Sequence, residues 1–426
     1  LANILNFCNL RINLEAEKNP ALEKGHPGIT TNLSLPAPYH SWDGEKVYFK
    51  GDDYFKDVLS AIRRSKRQVD LEVYIYEKGV LGNRIARELI RAARRGVKVR
   101  VLVDGIGSPD FDEDYGRRLE AGGVLFRVYR YFPTFLKMIS KQFGFLRKEK
   151  SVHRLRQYWV HMNHRNHRKL FIVDRYEIWL GGFNISDKEL ESASGKNAWR
   201  DTGLHLRGVR DHVFRLVFNS AWNDNVHRLH WRRYRRLLFQ WLSRDSSASL
   251  IQVNATRRLR RRHHRELLGR LEEVRRRIWL TTPYFVPTFK MQRLLLRAAH
   301  KGCDVRLLLP EKSDLPFVRL VSMAFYSPLL KAGCRIFEYQ RSVLHAKTLL
   351  VDDWALVGSS NFNHRSFLFD LEVDVATKKP SSLKALERQY ACDLRKSREV
   401  TAPDLKRRPF WVRIFMPVLF PLRFWC

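Results

Sequence analysis

His167-Arg168-Lys169-Leu170-Phe171-Ile172-Val173-Asp174, followed by Gly181-Gly182-Phe183-Asn184, is written a second time as His345-Ala346-Lys347-Thr348-Leu349-Leu350-Val351-Asp352, followed by Gly358-Ser359-Ser360-Asn361. Each copy brings an imidazole, an ammonium and an amide at matched spacing. The apolar run after each Lys reads as a buried strand, and on an extended chain a His and a Lys two apart point to one face. The repetition continues outward. Asp53–Tyr76 reads as a helix and then a strand, Leu71–Tyr76, and Glu266–Phe285 repeats it with Ile278-Trp279-Leu280 as the strand. The stretch 91–102 matches 297–308, each a helix, a glycine stop and a buried strand, and Leu119-Glu120-Ala121-Gly122 matches Leu330-Lys331-Ala332-Gly333. Helices alternating with short apolar strands imply an α/β class. The expectation is two pseudo-symmetric lobes, each a mixed β-sheet flanked by helices, with the active site at their interface. A chain of 426 residues is long enough to give each lobe its own core. The boundaries read as an N-terminal extension 1–44, a first lobe 45–230, a basic linker 231–249, a second lobe 250–400 and a basic, hydrophobic tail 401–426.

Two such residue sets facing each other supply what a phosphodiester needs. A neutral imidazole can displace the leaving alcohol and form a phosphohistidine, dividing one hard step into two. A second, protonated imidazole can donate to the departing oxygen and later take the proton of the acceptor, an effect worth roughly 10²–10⁴-fold. The candidate catalytic residues are His167, Lys169, Asp174, His345, Lys347 and Asp352. Asn184, Asn361 and Ser359 are candidates for binding the phosphate oxygens as charge builds. Asp174 and Asp352 belong to the motif, but their places at strand ends also suit a structural role. No cofactor and no metal is expected, because the side chains supply the whole requirement. His161, His164 and His167, spaced by three, lack accompanying ligand residues. One His-Lys pair could be a chance strand end; two aligned copies are hard to explain that way.

The doubled H-x-K-x4-D with G-x-x-N resembles the phospholipase D superfamily, and the surrounding text is similar to bacterial cardiolipin synthases, in particular the B type without transmembrane helices. The supporting words are Arg165-Asn166-His167-Arg168-Lys169, Gly181-Gly182-Phe183-Asn184-Ile185-Ser186, Trp199-Arg200-Asp201, Pro283-Tyr284-Phe285 and Gly358-Ser359-Ser360-Asn361. The likeness covers roughly residues 45–400. It implies two phospholipase D-like lobes and a phosphatidyltransferase making cardiolipin from phosphatidylglycerol and a second phospholipid. It also implies carboxylates that orient the motif histidines. Aligning the halves picks out Asp201 and Glu372, with Asp201 expected on His167 and Glu372 on His345. The alternative is that both are ordinary surface strand residues. Two departures stand out. Gly182 replaces a serine common in the family, and five residues separate Asp352 from Gly358 against six between Asp174 and Gly181, which reads as a shortened turn.

The net charge of +35 and a pI near 10.4 point to a polyanionic partner. The excess is concentrated in 232–236, 257–265 and 275–277. Anionic phospholipid membrane and nucleic acid would serve equally on charge. The first half carries 37 residues between Tyr129 and His167 where the second has five between Tyr339 and His345. The stretch 132–148 of that insert mixes Phe and Leu with Lys and Arg, as an interfacial element would; a helix packed on the body is the alternative. The end, 409–426, sets aromatics beside arginines, is broken by Pro417 and Pro421, and is shorter than the roughly 20 apolar residues of a spanning helix. It reads as lying on a membrane, or else in a groove of its own lobe. The five cysteines are scattered without a C-x-x-C, which fits a reducing compartment. No signal peptide is read, although the chain opens on Leu1. The expected place is the cytoplasmic face of a bacterial inner membrane, bound peripherally. A phosphodiesterase, nuclease or phospholipase D hydrolase using the same two histidines is the alternative function. The acceptor alcohol and the oligomeric state stay open.

Overall fold

The computed structural model describes residues 42–130, 164–209, 212–223 and 250–406. Stretch 132–148, the linker 231–249 and tail residues 407–426 lie outside the described residues. The first lobe is a seven-stranded sheet. Its strands are β1 (Gly44–Tyr48), β2 (Gln68–Val73), β3 (Lys98–Asp104), β4 (Leu125–Tyr129), β5 (Leu170–Val173), β6 (Glu177–Gly181) and β7 (Gly203–Arg207), in the order β1-β7-β6-β5-β2-β3-β4. The second lobe holds β8 (Ile251–Val253), β9 (Arg277–Thr281), β10 (Asp304–Pro310), β11 (Arg335–Tyr339), β12 (Thr348–Val351), β13 (Trp354–Gly358), β14 (Val373–Thr377) and β15 (Ser397–Val400), in the order β15-β11-β10-β9-β12-β13-β14-β8. Within each sheet three strands run parallel, β2-β3-β4 and β9-β10-β11, and the motif strands pair antiparallel with them. The mixed-sheet, two-lobe expectation holds, and the sheets fall on either side of 231–249.

Helices form where the sequence gives an apolar stripe with suitable ends. In α1 (Gly51–Arg64), Tyr54, Phe55, Val58, Ala61 and Ile62 are buried, Asp52 and Asp53 open the helix and Arg63 and Arg64 close it, which matches charge to the helix dipole. The first turn of α2 (Val80–Arg94) has no local cap; the Asp187 carboxylate accepts from Val80 and Leu81 N–H at 2.8 Å each. In the second lobe Thr256 and Thr288 cap α3 (Arg257–Glu272) and α4 (Phe289–His300). The strand expected over 71–76 is displaced to 68–73. Beyond it Ile75 N–H donates to Asn184 Oδ1 and Tyr76 N–H to Ser108 Oγ, so the chain leaves the sheet to serve the loops above it.

The lobes share a core. Ile172, Ile178, Leu180, Leu204 and Leu206 of the first sheet join Leu350, Ala355, Val357, Val373 and Val375 of the second in one buried apolar cluster. Each side chain of this size contributes about 1.5–3 kcal/mol on full burial, so the lobes are held face to face by the same force that builds a domain interior. Each lobe also has its own cluster on the outer face of its sheet.

Asp174 and Asp352, counted above with the catalytic set, are corrected here. Each stands at the far end of its motif strand, beyond the four residues of β5 or β12, which is roughly 13 Å of extended chain. Asp174 accepts from the N–H groups of Lys66, Arg67 and Gln68 at 2.8, 2.7 and 3.0 Å. Asp352 does the same for Arg275, Arg276 and Arg277 at 3.0, 2.9 and 3.1 Å. Both have φ of 48°, a left-handed conformation that Asp and Asn tolerate better than most residues. The unequal motif spacing is a turn difference: Val173 faces Glu177 across residues 174–176, whereas Val351 faces Trp354 across only Asp352 and Asp353. Removing either carboxylate orphans backbone donors. Asp174→Ala and Asp352→Ala are each expected to lose about 1–3 kcal/mol in urea unfolding, while activity per folded molecule is retained. Loss of turnover without loss of stability would return them to the catalytic set.

Candidate active site

The repeated motifs meet because the segments ahead of them exchange between lobes. His167 N–H donates to Leu371 O and Leu371 N–H to Arg165 O, at 3.0 and 2.8 Å. In the other half Arg200 N–H donates to Val343 O and His345 N–H to Arg200 O, at 2.9 and 2.8 Å. These are parallel bridges, Asn166 with Leu371 and Arg200 with Leu344. Each motif histidine therefore lies beside the segment that carries the other half's carboxylate.

The carboxylate pairing is the reverse of the expected one. His167 Nδ1 lies 3.1 and 3.2 Å from the two Glu372 oxygens and 3.1 Å from Ser359 O. His345 Nδ1 lies 2.6 Å from Asp201 Oδ2. Asp201 serves His345 and Glu372 serves His167. Alignment of a repeat shows which residues correspond, but not whether corresponding groups meet within a half or across the twofold. With Nδ1 engaged, Nε2 is the nitrogen each ring has for chemistry. Tyr74 lies 5.0 Å from the His167 ring, and Trp199 and Tyr284 lie 5.3 and 6.4 Å from that of His345.

The lysines are fully buried beside these rings. Lys169 Nζ donates to His167 O at 2.8 Å, and Lys347 Nζ donates to His345 O and stands 3.0 Å from His345 Nδ1. Burial, then Lys347, brings Lys169 down to about 7; burial also lowers Lys347, against the pull of Asp201 and Glu189. Burial, then Lys169 and Lys347, holds His167 well below the ordinary imidazole range. His345 is lowered by burial and Lys347, with Asp201 acting against both. Burial pulls Asp201 upward, but Lys347 and His345 outweigh it and keep the carboxylate below its usual range. Glu372 goes the other way, raised by burial to about 7 despite Lys169 and two serine hydroxyls. The two half-sites are thus electrically unequal.

Among the polar candidates, Asn184 Oδ1 accepts from Ile75 N–H at 3.2 Å while its Nδ2 is buried without a partner among the described residues. That leaves an NH₂ donor for an anionic oxygen. Asn361 Oδ1 is likewise unpartnered, and a half-turn of the amide exchanges it for NH₂. Ser359 is a correction. Its hydroxyl donates to Glu372 Oε2 at 2.5 Å and accepts from Val373 N–H at 3.1 Å, so in this structure it braces the carboxylate. Gly182, its counterpart, is required by Asp201: a Cβ there would lie 2.0 Å from Asp201 Oδ1.

Several residues of the site carried no sequence signal. Asn166 Nδ2 donates to Glu72 at 2.7 Å and Asn166 N–H to Asp104 at 2.8 Å, fixing the approach to His167 from β2 and β3. Glu72 sits inside an apolar strand, which could have marked it; Glu189 ends the short helix Asp187–Glu189 and Ser366 lies in the helix His364–Leu368, where no local pattern marks them. Atoms of Glu189, Asp201 and His345 lie within 4.8 Å of one another, a spacing that would suit a cation. The Lys347 ammonium stands 3.7 Å from Asp201 Oδ2 and supplies positive charge in that space.

A family model for the phospholipase D-like domain of cardiolipin synthases matches residues 58–198 and 267–394. The chain belongs to this family. It is 32% identical over 371 residues to the major cardiolipin synthase ClsA of Bacillus subtilis strain 168, covering 86% of this chain and 72% of that one. It is 31% identical over 384 residues to a cardiolipin synthase of Oceanobacillus iheyensis, covering 88% and 74%. A solved phosphatidylserine synthase from Haemophilus influenzae Rd KW20 shares the fold, with a TM-score of 0.61 at 14% identity over 89% of this chain and 93% of that one. The family match takes in both copies of the motif, and the chain is an enzyme of the phospholipase D superfamily.

The lowered Lys169 gives a pH test of anion binding. Below about 7 it is charged and attracts an anion; above, the free site loses that charge. Sulfate, which does not itself titrate in this range, should bind less tightly as pH rises through about 7, with proton uptake on binding. Lys169→Met should bind weakly with that step removed. Titration calorimetry in two buffers of different ionisation heat reads both quantities.

Proposed function

We propose that the chain is a cardiolipin-forming phosphatidyltransferase in which His167 is the nucleophile and His345 the general acid. The observation that carries the assignment is the inequality of the two carboxylate–imidazole pairs. Asp201, an ionised carboxylate 2.6 Å from His345 Nδ1, works against the burial and Lys347 that lower this ring, and so favours its imidazolium over that of His167, which is held well below the ordinary range. Glu372 shares its charge with Ser359 and Ser366 hydroxyls and lies farther from His167, which faces two lysines and stays neutral.

In the first step the His167 Nε2 lone pair forms a P–N bond, the P–O bond to the leaving alcohol breaks, and the His345 proton passes to that oxygen. In the second step the acceptor hydroxyl gives its proton to His345, its oxygen bonds to phosphorus, and the P–N bond breaks to return neutral His167. Lys169, Lys347, Asn184 and Asn361 bind the non-bridging oxygens throughout. With phosphatidylglycerol as donor the leaving alcohol is glycerol. A second phosphatidylglycerol as acceptor yields cardiolipin, and water would yield phosphatidic acid. No step in this scheme uses a metal, so activity is expected to survive EDTA.

The substrates are lipids, and the surface around His164 suits anionic headgroups. Burial, then Arg260, Arg130 and Arg257, lowers this half-buried imidazole to about 4. Arg365 acts on His167 from the same side, and Leu368 beside it is 49% exposed. Among the described residues no helix is long and apolar enough to cross a membrane. Peripheral docking on the cytoplasmic face, through the basic surface with the 132–148 and 409–426 stretches, is the reading that fits their composition.

A substrate with a p-nitrophenolate leaving group needs no general acid. His345→Ala should therefore still form a phosphohistidine on His167 from such a diester, whereas His167→Ala should form none. Label on His345 alone would reverse the roles. Deleting 409–426 should weaken binding to phosphatidylglycerol vesicles, more so at high salt, while turnover of a soluble short-chain diester is kept. Undiminished vesicle binding together with efficient DNA cleavage would favour the nuclease alternative.

A further inference from the structure

Glu189 is buried in the active site, and the scheme above gives it no task. Its position has an exact counterpart in function, though not in residue type, in the other half. Asn361 N–H donates to Ser366 Oγ at 3.1 Å, and that hydroxyl donates to Glu372 Oε1 at 2.8 Å. Asn184 N–H donates to Glu189 Oε1 at 3.1 Å, across the same five-residue spacing. Glu189 Oε2 is buried and unpartnered among the described residues, and Glu189 and Asp201 have oxygens within 4.8 Å of each other. Where Glu372 accepts hydrogen bonds from two serine hydroxyls, Asp201 has a glycine at 182 and a Glu189 oxygen within 4.8 Å.

We propose that Glu189 is a positioning residue that carries a proton and presents it to Asp201, so that the buried pair holds one negative charge between them. Two carboxylates this close in a buried site resist joint ionisation. Burial first, and then the Asp201 charge, raise Glu189 well above the ordinary range, against the Asn184 N–H and the two lysines. The charged and titratable groups facing it are Asp201, Lys347, Lys169 and, through Asp201, His345; the Tyr54 phenol also senses its charge. Its proton does for Asp201 what the Ser366 hydroxyl does for Glu372, steadying the carboxylate against His345. Its neutrality matters equally: a second anion would offset an ammonium that the phosphodiester requires. The two halves thus meet one demand by different chemistry, a hydroxyl in one and a carboxylic acid in the other.

This rests on the proposed role of His345 as general acid, and the experiment separates the two. Glu189→Gln keeps the shape, the acceptor for Asn184 and a neutral donor toward Asp201; it is expected to keep kcat and its pH profile near those of the parent. Glu189→Ala loses the donor and is expected to drop kcat by about 10- to 100-fold, the loss of one hydrogen bond to a charged group, with the His345 limb of the pH profile displaced. Infrared difference spectra at neutral pH should show a protonated carboxyl band in the parent and in His167→Ala that is missing in Glu189→Gln. A folded but inactive Glu189→Gln, or no such band, overturns the proposal, and rescue of parent activity by a divalent cation would mean that Glu189 works as an anionic ligand. If the band is present while label appears on His345, the mechanism falls and the protonated Glu189 stands.

Discussion

The exchange of carboxylates across the lobe interface is the constraint on which the rest of the site depends. His167 is oriented by Glu372 of the second lobe and His345 by Asp201 of the first. Neither lobe holds an imidazole in working geometry alone. The shared core behind the site, with Ile172, Leu204 and Leu206 against Leu350, Val357 and Val375, is therefore part of the catalytic apparatus. It keeps the sheets in a register at which the segments ahead of the histidines can bridge to Leu371 and Arg200. A phosphodiester bound here would touch both lobes at once, on rings and ammonium groups already fixed by packing.

Duplication supplies two equivalent halves, but nucleophile and acid are unequal tasks, and the differences between halves follow that division. A glutamate braced by two serine hydroxyls stands opposite the ring that must stay neutral. A shorter carboxylate, kept ionised by Lys347 and His345, stands opposite the ring that carries the proton in the proposed scheme. Gly182 belongs to the same division, since Asp201 Oδ1 lies where a side chain at that position would begin. The missing hydroxyl thus reflects the specialisation of its half. The first half is also more heavily braced: Glu72 and Asp104 grip Asn166 from below.

The charge of the protein has two uses that the fold keeps apart. Inside the crevice two buried lysines create an anion site whose strength depends on pH, because burial has taken Lys169 down to about 7. Outside, Arg257, Arg258, Arg261 and Arg265 of α3 sit in solvent, where each interaction is weak and screened by salt but many act together. In the function proposed above, the interior charges bind the phosphodiester and the exterior ones attract an anionic surface.

Much of this was legible in the residues alone. The doubled motif, the helix–glycine–strand repeats 91–102 and 297–308, and the buried strands after Lys169 and Lys347 depend on local patterns of charge and apolarity, which the chain carries wherever it folds. They determined the two-lobe α/β class, the family, and which histidines, lysines and asparagines would converge. Tertiary structure decided what depends on contacts between distant segments. It set the crossed pairing of Asp201 and Glu372, because a repeat is blind to which side of a twofold its members meet. It turned Ser359 toward Glu372 and Asp174 toward the N–H groups of residues 66–68, because a side chain's partner depends on what packs above it. It brought Glu189 into the site from the short helix Asp187–Glu189 without any sequence mark, because its burial and its nearness to Asp201 arise only once the chain has folded.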